Sequence, residues 1–388
     1  MRIIDVREIA IKLNGRIANS LVNFTKHTVS LVALISDQVS EGKPIVGFGF
    51  NSIGRFAQSG ILRERMLPRL AEAAPEDLLS KNGAGFEAEI IANIAMKDEK
   101  PGGHGDRSGA VAALELATWD LNAKLLDEPA YKTIRNSFGV ADLADSLPVY
   151  AAGGYYYPND SAKRLSDELL DYQGKGYNSF KIKVGGEALR EDILRIEAAV
   201  AVAGKGSRVA IDANGCFDHQ KALEMAVAID PFELRWFEEP GDPLDFDLNR
   251  DLTENYNGSI ATGENLFSLM EAINLMRFGG MRIDKDVFQM DPGLCYGITE
   301  YHRILKSLEE FGHHRKQCYP HGGHLINLHI ALGLGLGGCE AYPEVFQPLG
   351  GYSDQCRLED GKIAPSDAPG FGLEQKENLY PLLCDLVN

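Results

Sequence analysis

A charged residue recurs at a nearly constant step through the middle of the chain, each time at the end of a short apolar run. Ser179-Phe-Lys-Ile-Lys-Val-Gly-Gly186 carries Lys181 and Lys183, Ala210-Ile-Asp-Ala-Asn214 carries Asp212, Trp236-Phe-Glu-Glu-Pro240 carries Glu238, and Ala261-Thr-Gly-Glu-Asn265 carries Glu264. From Lys183 to Asp212 is 29 positions, and the next two steps, to Glu238 and to Glu264, are 26 each. A strand, a crossover helix and two turns need roughly 25–30 residues, and parallel strands require such a crossover. A constant step therefore sets each charged residue at the same end of successive parallel strands. The period extends to Val287-Phe-Gln-Met-Asp291, to Gln317-Cys-Tyr-Pro-His321 and back to Leu147-Pro-Val-Tyr-Ala151, with a shorter last step to Glu340 in Gly337-Gly-Cys-Glu-Ala341. Eight strands result, enough to close a barrel whose active site lies at the carboxyl ends of the strands.

Three carboxylates at neighbouring strand ends repel one another unless a cation lies between them. Asp212, Glu238 and Glu264 are accordingly expected to be metal ligands, and hard oxygen donors in this number suit Mg²⁺, with Mn²⁺ as second choice. Lys181 and Lys183, two apart, face the same side of their strand. Each disfavours the other's charge, so one lysine is expected to have a lowered pKa and to act as a general base. Asp291 and His321 end adjacent strands, which predicts a carboxylate holding one ring nitrogen while the other serves as an acid. Asn214 and Asn265 are expected beside the ligands or the substrate, Glu239 on the opposite face, and Glu340 either on a substrate hydroxyl or as a cap of the barrel.

Residues 1–125 lack the period and read as an α+β unit. It has strands near Ile3–Leu13, Thr28–Ser36 and Pro44–Phe50, then helices over Gly60–Ala74, Gly85–Met96 and Ser108–Leu126. Residues 126–345 form the barrel, and 346–388 form a Gly- and Pro-containing tail expected to pack back on the first unit. The loop Lys100-Pro-Gly-Gly-His-Gly-Asp-Arg107 is either a solvated turn or a substrate lid, and Tyr155-Tyr-Tyr157 either caps the barrel or lines a pocket. With 39 basic against 56 acidic residues, a net charge of −17, the chain is a poor partner for nucleic acid or anionic membrane. A small anionic substrate then needs a metal or local cations. Six cysteines without a CxxC pair point to reduced thiols and a cytoplasmic protein. No signal peptide is read at the amino terminus, and no run of about 20 apolar residues for a membrane helix.

The lysine pair, the three acids and the His–Asp pair together resemble the enolase superfamily and, within it, the mandelate racemase subgroup. The pairing of a Lys or His base with Mg²⁺ and an ene-diolate is that superfamily's own chemistry. The resemblance spans essentially the whole chain and implies a modified TIM barrel, (β/α)₇β, under an α+β capping domain, with Lys183 as base and His321 as acid. Glu99-Lys-Pro-Gly-Gly-His104, Tyr150-Ala-Ala-Gly-Gly-Tyr-Tyr-Tyr157, Gly241-Asp-Pro-Leu-Asp245 and Pro320-His-Gly-Gly-His324 look most like the subgroup's dehydratases of D-tartrate. That implies an Mg²⁺-dependent hydro-lyase turning D-tartrate into oxaloacetate and water. Substrate contacts would come from Asn19, Asn51, Lys100, Tyr157, Asn214 and Glu340, and the enzyme would be a homo-oligomer. Ile53 sets an apolar side chain over the pocket, which favours a different hydroxy-diacid or sugar acid. The alternatives are an acid-sugar dehydratase or a racemase or epimerase with the same catalytic set and, more remotely, a non-catalytic organic-acid binder.

Overall fold

In the computed structural model, which describes residues 1–141, 144–157 and 162–388, the 26–30-residue repeat folds as parallel strands joined by helices. The amino-terminal segment forms an antiparallel sheet of β1 (Ile3–Lys12), β2 (Thr28–Ser40) and β3 (Lys43–Phe50). The barrel strands are β4 (Leu147–Ala152), β5 (Phe180–Lys183), β6 (Val209–Asp212), β7 (Trp236–Glu238), β8 (Ile260–Thr262), β9 (Val287–Phe288) and β10 (Cys339–Ala341). Each from β4 to β8 pairs in parallel with the next, ending at β9, and β10 pairs back onto β4. Crossover helices run over Ala162–Gly174, Leu189–Ala203, His219–Ile229, Phe246–Asn255, Leu269–Phe278, Ile298–Glu310 and Leu325–Leu334. This is a (β/α)₇β barrel beneath an α+β cap.

Two expected strands are shorter than the repeat suggested. The sixth is only Val287–Phe288. The seventh, Gln317–His321, is not a strand but a single parallel bridge from Phe288 to Cys318. Pro320 brings no N–H to a ladder, and the segment is held by isolated bonds, Tyr319 N–H to the Phe288 carbonyl at 2.9 Å and the Gly337 N–H to the Cys318 carbonyl at 3.1 Å. The expected helix over Gly60–Ala74 is broken into Ser59–Ile61, a wider turn over Leu62–Met66, and Leu67–Glu72. Pro68 removes a helical N–H where the last piece starts.

The helix Asp106–Leu125 joins cap to barrel and is buried well beyond one stripe, with Glu115, Thr118 and Asp120 inside. Such burial requires that each carboxylate be fully bonded. Glu115 accepts from Trp119 Nε1, from the Ile298 and Thr299 amides and from the Thr299 hydroxyl at 2.7–3.0 Å, so it fastens the cap to the start of a barrel helix. Asp120 accepts from the Phe48 amide at 2.8 Å and the Phe371 amide at 2.6 Å and pairs with Lys124 at 2.6 Å. The tail adds a hairpin, β11 (Arg357–Glu359) and β12 (Lys362–Ala364), whose second strand runs antiparallel to β4. It ends in the helix Tyr380–Val387, where the Leu386 carbonyl accepts from Arg7 at 3.2 Å. All six cysteines are free thiols, and no helix among the described residues is long and apolar enough to cross a membrane.

Gly47 and Gly49 share the face of β3 that meets this helix. A Cβ at Gly49 would lie 2.4 Å from the Ala113 carbonyl, and one at Gly47 would lie 2.2 Å from the Ala117 carbonyl. Gly49→Ala should destabilise the protein by about 1–3 kcal/mol, read as a lowered urea midpoint; an unchanged midpoint would refute the close approach. His329 supplies a pH test. Its Nδ1 accepts from the Tyr131 amide at 3.3 Å, and burial depresses its pKa to about 3. A depressed histidine contributes fully above its unfolded value near 6.5, and that contribution is lost as pH falls from there towards 3. Between those limits it should add up to about 1.4 kcal/mol per pH unit to the slope of unfolding free energy. Denaturant titrations of His329→Gln should show a shallower slope than the parent over pH 4–6.

Candidate active site

Strand register assembles the site. Lys183 pairs with Asp212 across β5 and β6, and Asp212 with Glu238 across β6 and β7. Three side chains separated by 29 and 26 positions thus become lateral neighbours, at the roughly 4.8 Å spacing of adjacent strands. Glu264 lies beyond β8, past Gly263 at φ +124°, where a Cβ would come within 2.5 Å of Met290 Sδ. The three acids each offer one oxygen, all within 4.8 Å of one another, which suits a hard divalent cation.

Counting charges supports the same reading. Asp212, Glu238, Glu239, Glu264, Asp291 and Glu340 are buried here against three cations, Lys181, Lys183 and His321. Lys183 bonds Asp212. Lys181 bonds Glu238, lies 2.7 Å from Glu340 Oε1 and 3.7 Å from Asp212. His321 Nδ1 lies 2.9 Å from Glu264 Oε2 and 3.4 Å from Glu340. Glu238 also accepts from Trp236 Nε1 and Gln289 Nε2, both at 2.8 Å. The acid row is therefore bracketed, by Lys183 at its Asp212 end and by His321 at its Glu264 end.

The protein's own charges do not produce the expected lowering of a lysine pKa. Burial alone would lower both, but the surrounding carboxylates outweigh it and the pKa values of Lys181 and Lys183 are raised. Burial together with the neighbouring acids pushes Glu238 up to about 8. For His321, burial is outweighed by Glu264 and Glu340, which bring it to about 10. Its Nε2 meets the Ile53 carbonyl at 3.0 Å, so each ring nitrogen faces an oxygen acceptor. The expected Asp291–His321 hydrogen bond is likewise not made. Asp291 accepts at Oδ1 from the Gly293 amide and Asn327 Nδ2, at 2.8 and 3.0 Å, and acts on the imidazole only through space.

Above the acids opens a cleft of about 310 Å³, lined by cap residues Asn19 and Ile53–Arg55 and by barrel residues Tyr155, Lys183, Asn214, Glu239, Glu264, Asn265 and His321. Asn19 Oδ1 accepts from the Leu21 and Val22 amides. Asn214, at φ +51°, keeps its Oδ1 buried without a partner while Nδ2 donates to Asp212 at 3.2 Å. Glu340 lies beneath the cleft, bonded to the Gly322 amide at 3.0 Å as well as to Lys181.

Three expected substrate contacts fall elsewhere. Asn51 is fully buried, accepts from the Ser30 amide at 2.7 Å and donates to the Arg55 and Phe56 carbonyls, so it shapes the loop instead of meeting a ligand. Lys100 lines a separate cleft of about 670 Å³ with Arg107, Tyr296 and Arg303. Tyr157 lies outside the cleft with the Arg164 guanidinium over its ring, and Tyr155 lines the cleft in its place, 5.0 Å from Lys183 Nζ. Glu239, expected on the opposite face, lines the cleft and accepts from Asn265 Nδ2 at 2.8 Å. Trp236, Gln289, Asn327 and Arg55 were missed. Trp236 could have been found, being two residues before Glu238 and so on the same strand face.

A family model described as Enolase C-terminal domain-like matches residues 164–379. Arabinonate dehydratase of Saccharolobus solfataricus is 26% identical over 284 residues, covering 72% of this chain and 73% of that protein. L-talarate/galactarate dehydratase of Salmonella typhimurium is 26% identical over 357 residues, covering 91% of this chain and 84% of that protein. Among solved structures, a racemase from Streptomyces coelicolor A3(2) with bound magnesium superposes with a TM-score of 0.77 at 22% identity, covering 98% of each chain.

Glu238 is the central acid of the row, so Glu238→Gln should weaken Mg²⁺ binding by more than the roughly 10–100-fold that loss of a supporting hydrogen-bond partner costs. Calorimetric titration checks this; equal affinity in the variant and the parent would remove the three acids from consideration as ligands.

Proposed function

The chain belongs to the enolase C-terminal domain-like family, and we propose on that footing that it is an Mg²⁺-dependent dehydratase of acid sugars. The observation that carries this reading is the acid row bracketed by Lys183 and His321 at the floor of one cleft. Asp212, Glu238 and Glu264 would hold the ion, with Mn²⁺ as second choice. When bound, the ion supplies positive charge that draws electron density from a substrate carboxylate and makes the adjacent C–H more acidic.

The remaining work falls to side chains. The carboxylate charge that raises Lys183 would be taken up by the bound ion, so that its neutral amine can take the proton at C2, and Lys181, between Glu238 and Glu340, keeps its ammonium beside the charge that develops. His321 holds its proton against acceptors at both nitrogens and gives it to the C3 hydroxyl, which leaves as water when the C–O bond breaks. The electron pair from the C2–H bond forms the enol double bond, and the enol tautomerises to a 2-keto acid. The unpartnered Oδ1 of Asn214 and the amide of Asn19 supply hydrogen bonds to substrate hydroxyls.

Acid sugars stand ahead of D-tartrate as substrate. The two relatives are named as dehydratases of arabinonate and of talarate and galactarate, and Lys100, on which the tartrate resemblance drew, lies in another cleft. Conversion of D-tartrate to oxaloacetate is the finer reading, and epimerisation at C2 is the second, because return of a proton to C2 by His321 uses the same residues.

A panel of aldonates, aldarates and tartrates with Mg²⁺ should yield a 2-keto acid from at least one acid sugar, detected as a semicarbazone. Lys183→Ala should lower that rate by roughly 10²–10⁴-fold. Absence of both keto acid and C2 deuterium exchange across the panel would leave a non-catalytic binder, and full activity in the Lys183 variant would reassign the base.

A further inference from the structure

We infer that Arg55 is the anchor for a second carboxylate, so that the substrate is a dicarboxylic acid and not an aldonic one; this rests on the acid-sugar reading above. Among the described residues lining the cleft, Arg55 is the only cation besides Lys183 and His321. Those two are taken up by Asp212 and Glu264. Arg55 makes no ion pair among the described residues, although Glu239, Asp242 and Glu264 line the same cleft. Its one side-chain hydrogen bond runs from Nη2 to the neutral Asn265 Oδ1 at 2.6 Å. Its guanidinium lies 4.8 Å from the centre of the Phe267 ring.

The surroundings hold this group in place. The Arg55 carbonyl meets His27 Nε2 at 2.9 Å and Asn51 Nδ2 at 3.5 Å. Asn265 is itself held by Glu239 at 2.8 and 3.0 Å. Two residues earlier the Ile53 carbonyl contacts His321, and a Cβ on Gly54 would come 3.4 Å from the same imidazole nitrogen. The segment 53–55 thus borders the proposed acid on the cap side of the cleft, and the Arg55 guanidinium reaches Asn265, whose Nδ2 also lies 3.4 Å from Glu264 Oε1. A substrate with one carboxylate at the acid row and its C3 hydroxyl at His321 extends along this segment towards Arg55. A half-buried guanidinium with one neutral partner leaves most of its donors for a planar, bidentate anion, and a carboxylate fits that fork. The terminal hydroxymethyl of an aldonate would leave the charge unmatched.

The test compares matched pairs that differ only in the distal group: galactarate with galactonate, D-glucarate with D-gluconate, and D-tartrate with threonate. Binding is measured by calorimetry on Mg²⁺-loaded Lys183→Ala protein, with and without Arg55→Met, and turnover on the Mg²⁺-loaded parent and on Arg55→Met and Arg55→Lys. Mg²⁺ affinity serves as the folding control. At least one diacid should bind roughly tenfold or more tighter than its monoacid partner. Arg55→Met should collapse that ratio towards one, and Arg55→Lys should restore part of it. Tighter binding of monoacids, no measurable binding of any diacid, or an equal loss of both members of a pair in Arg55→Met overturns the assignment. Keto acid formation without a diacid preference defeats Arg55 alone. A diacid preference in binding without any product defeats the dehydratase reading and leaves the anchor standing.

Discussion

Repulsion among buried carboxylates is the constraint around which this molecule is built. Asp212, Glu238 and Glu264 bring an oxygen each within 4.8 Å of one another, and two like charges at about 4 Å cost about 4 kcal/mol even at an effective dielectric constant of 20. Lys181, Lys183 and His321 offset part of that, one against each acid. Such a cluster holds together only if the backbone beneath it is rigid. Parallel pairing of β5 to β8 with Trp236, Ile211 and Phe237 buried along it supplies that rigidity.

The cap is part of the same machine. Its loop closes on the barrel through Ser52, whose amide donates to the Gly293 carbonyl at 3.1 Å and whose hydroxyl meets His324 at 2.9 Å. The next residue, Ile53, is almost fully buried and spends its carbonyl on His321. Glu115 and Asp120 tie the long cap helix to the barrel and to the tail. The acids and their cations thereby sit at strand ends, while the cap loop lies against them, the arrangement in which barrel enzymes hold their sites.

The residues legible from the chain alone were those on the repeat. Lys183, Asp212 and Glu238 share a strand phase, and strand phase converts directly into spatial adjacency; Glu264 keeps the 26-residue step but joins them from the turn after β8, past Gly263. Residues on irregular segments had no such conversion. Lys100, Asn51 and Tyr157 have suitable side chains, but loop backbone turned them to a second cleft, to the Ser30 amide and to Arg164. Asp291 was rightly placed near His321 in the chain order of strands, yet the seventh strand reduces to one bridge at Cys318, and without a ladder its side-chain direction did not follow from period two. Arg55 gave no signal beyond its charge.

Periodicity thus determined the barrel, the row of acids and the two groups at its ends, because each depends only on the distance along the chain between equivalent points of a repeating unit. Tertiary structure alone decided the direction in which the protein's own charges shift the lysine pKa values, since that depends on which carboxylates lie within a few ångströms of each ammonium: burial by itself would lower both, and the acids around them raise both. It also decided the walls of the cleft. Those come from loops of two separate units, and no spacing within one chain encodes how such loops meet.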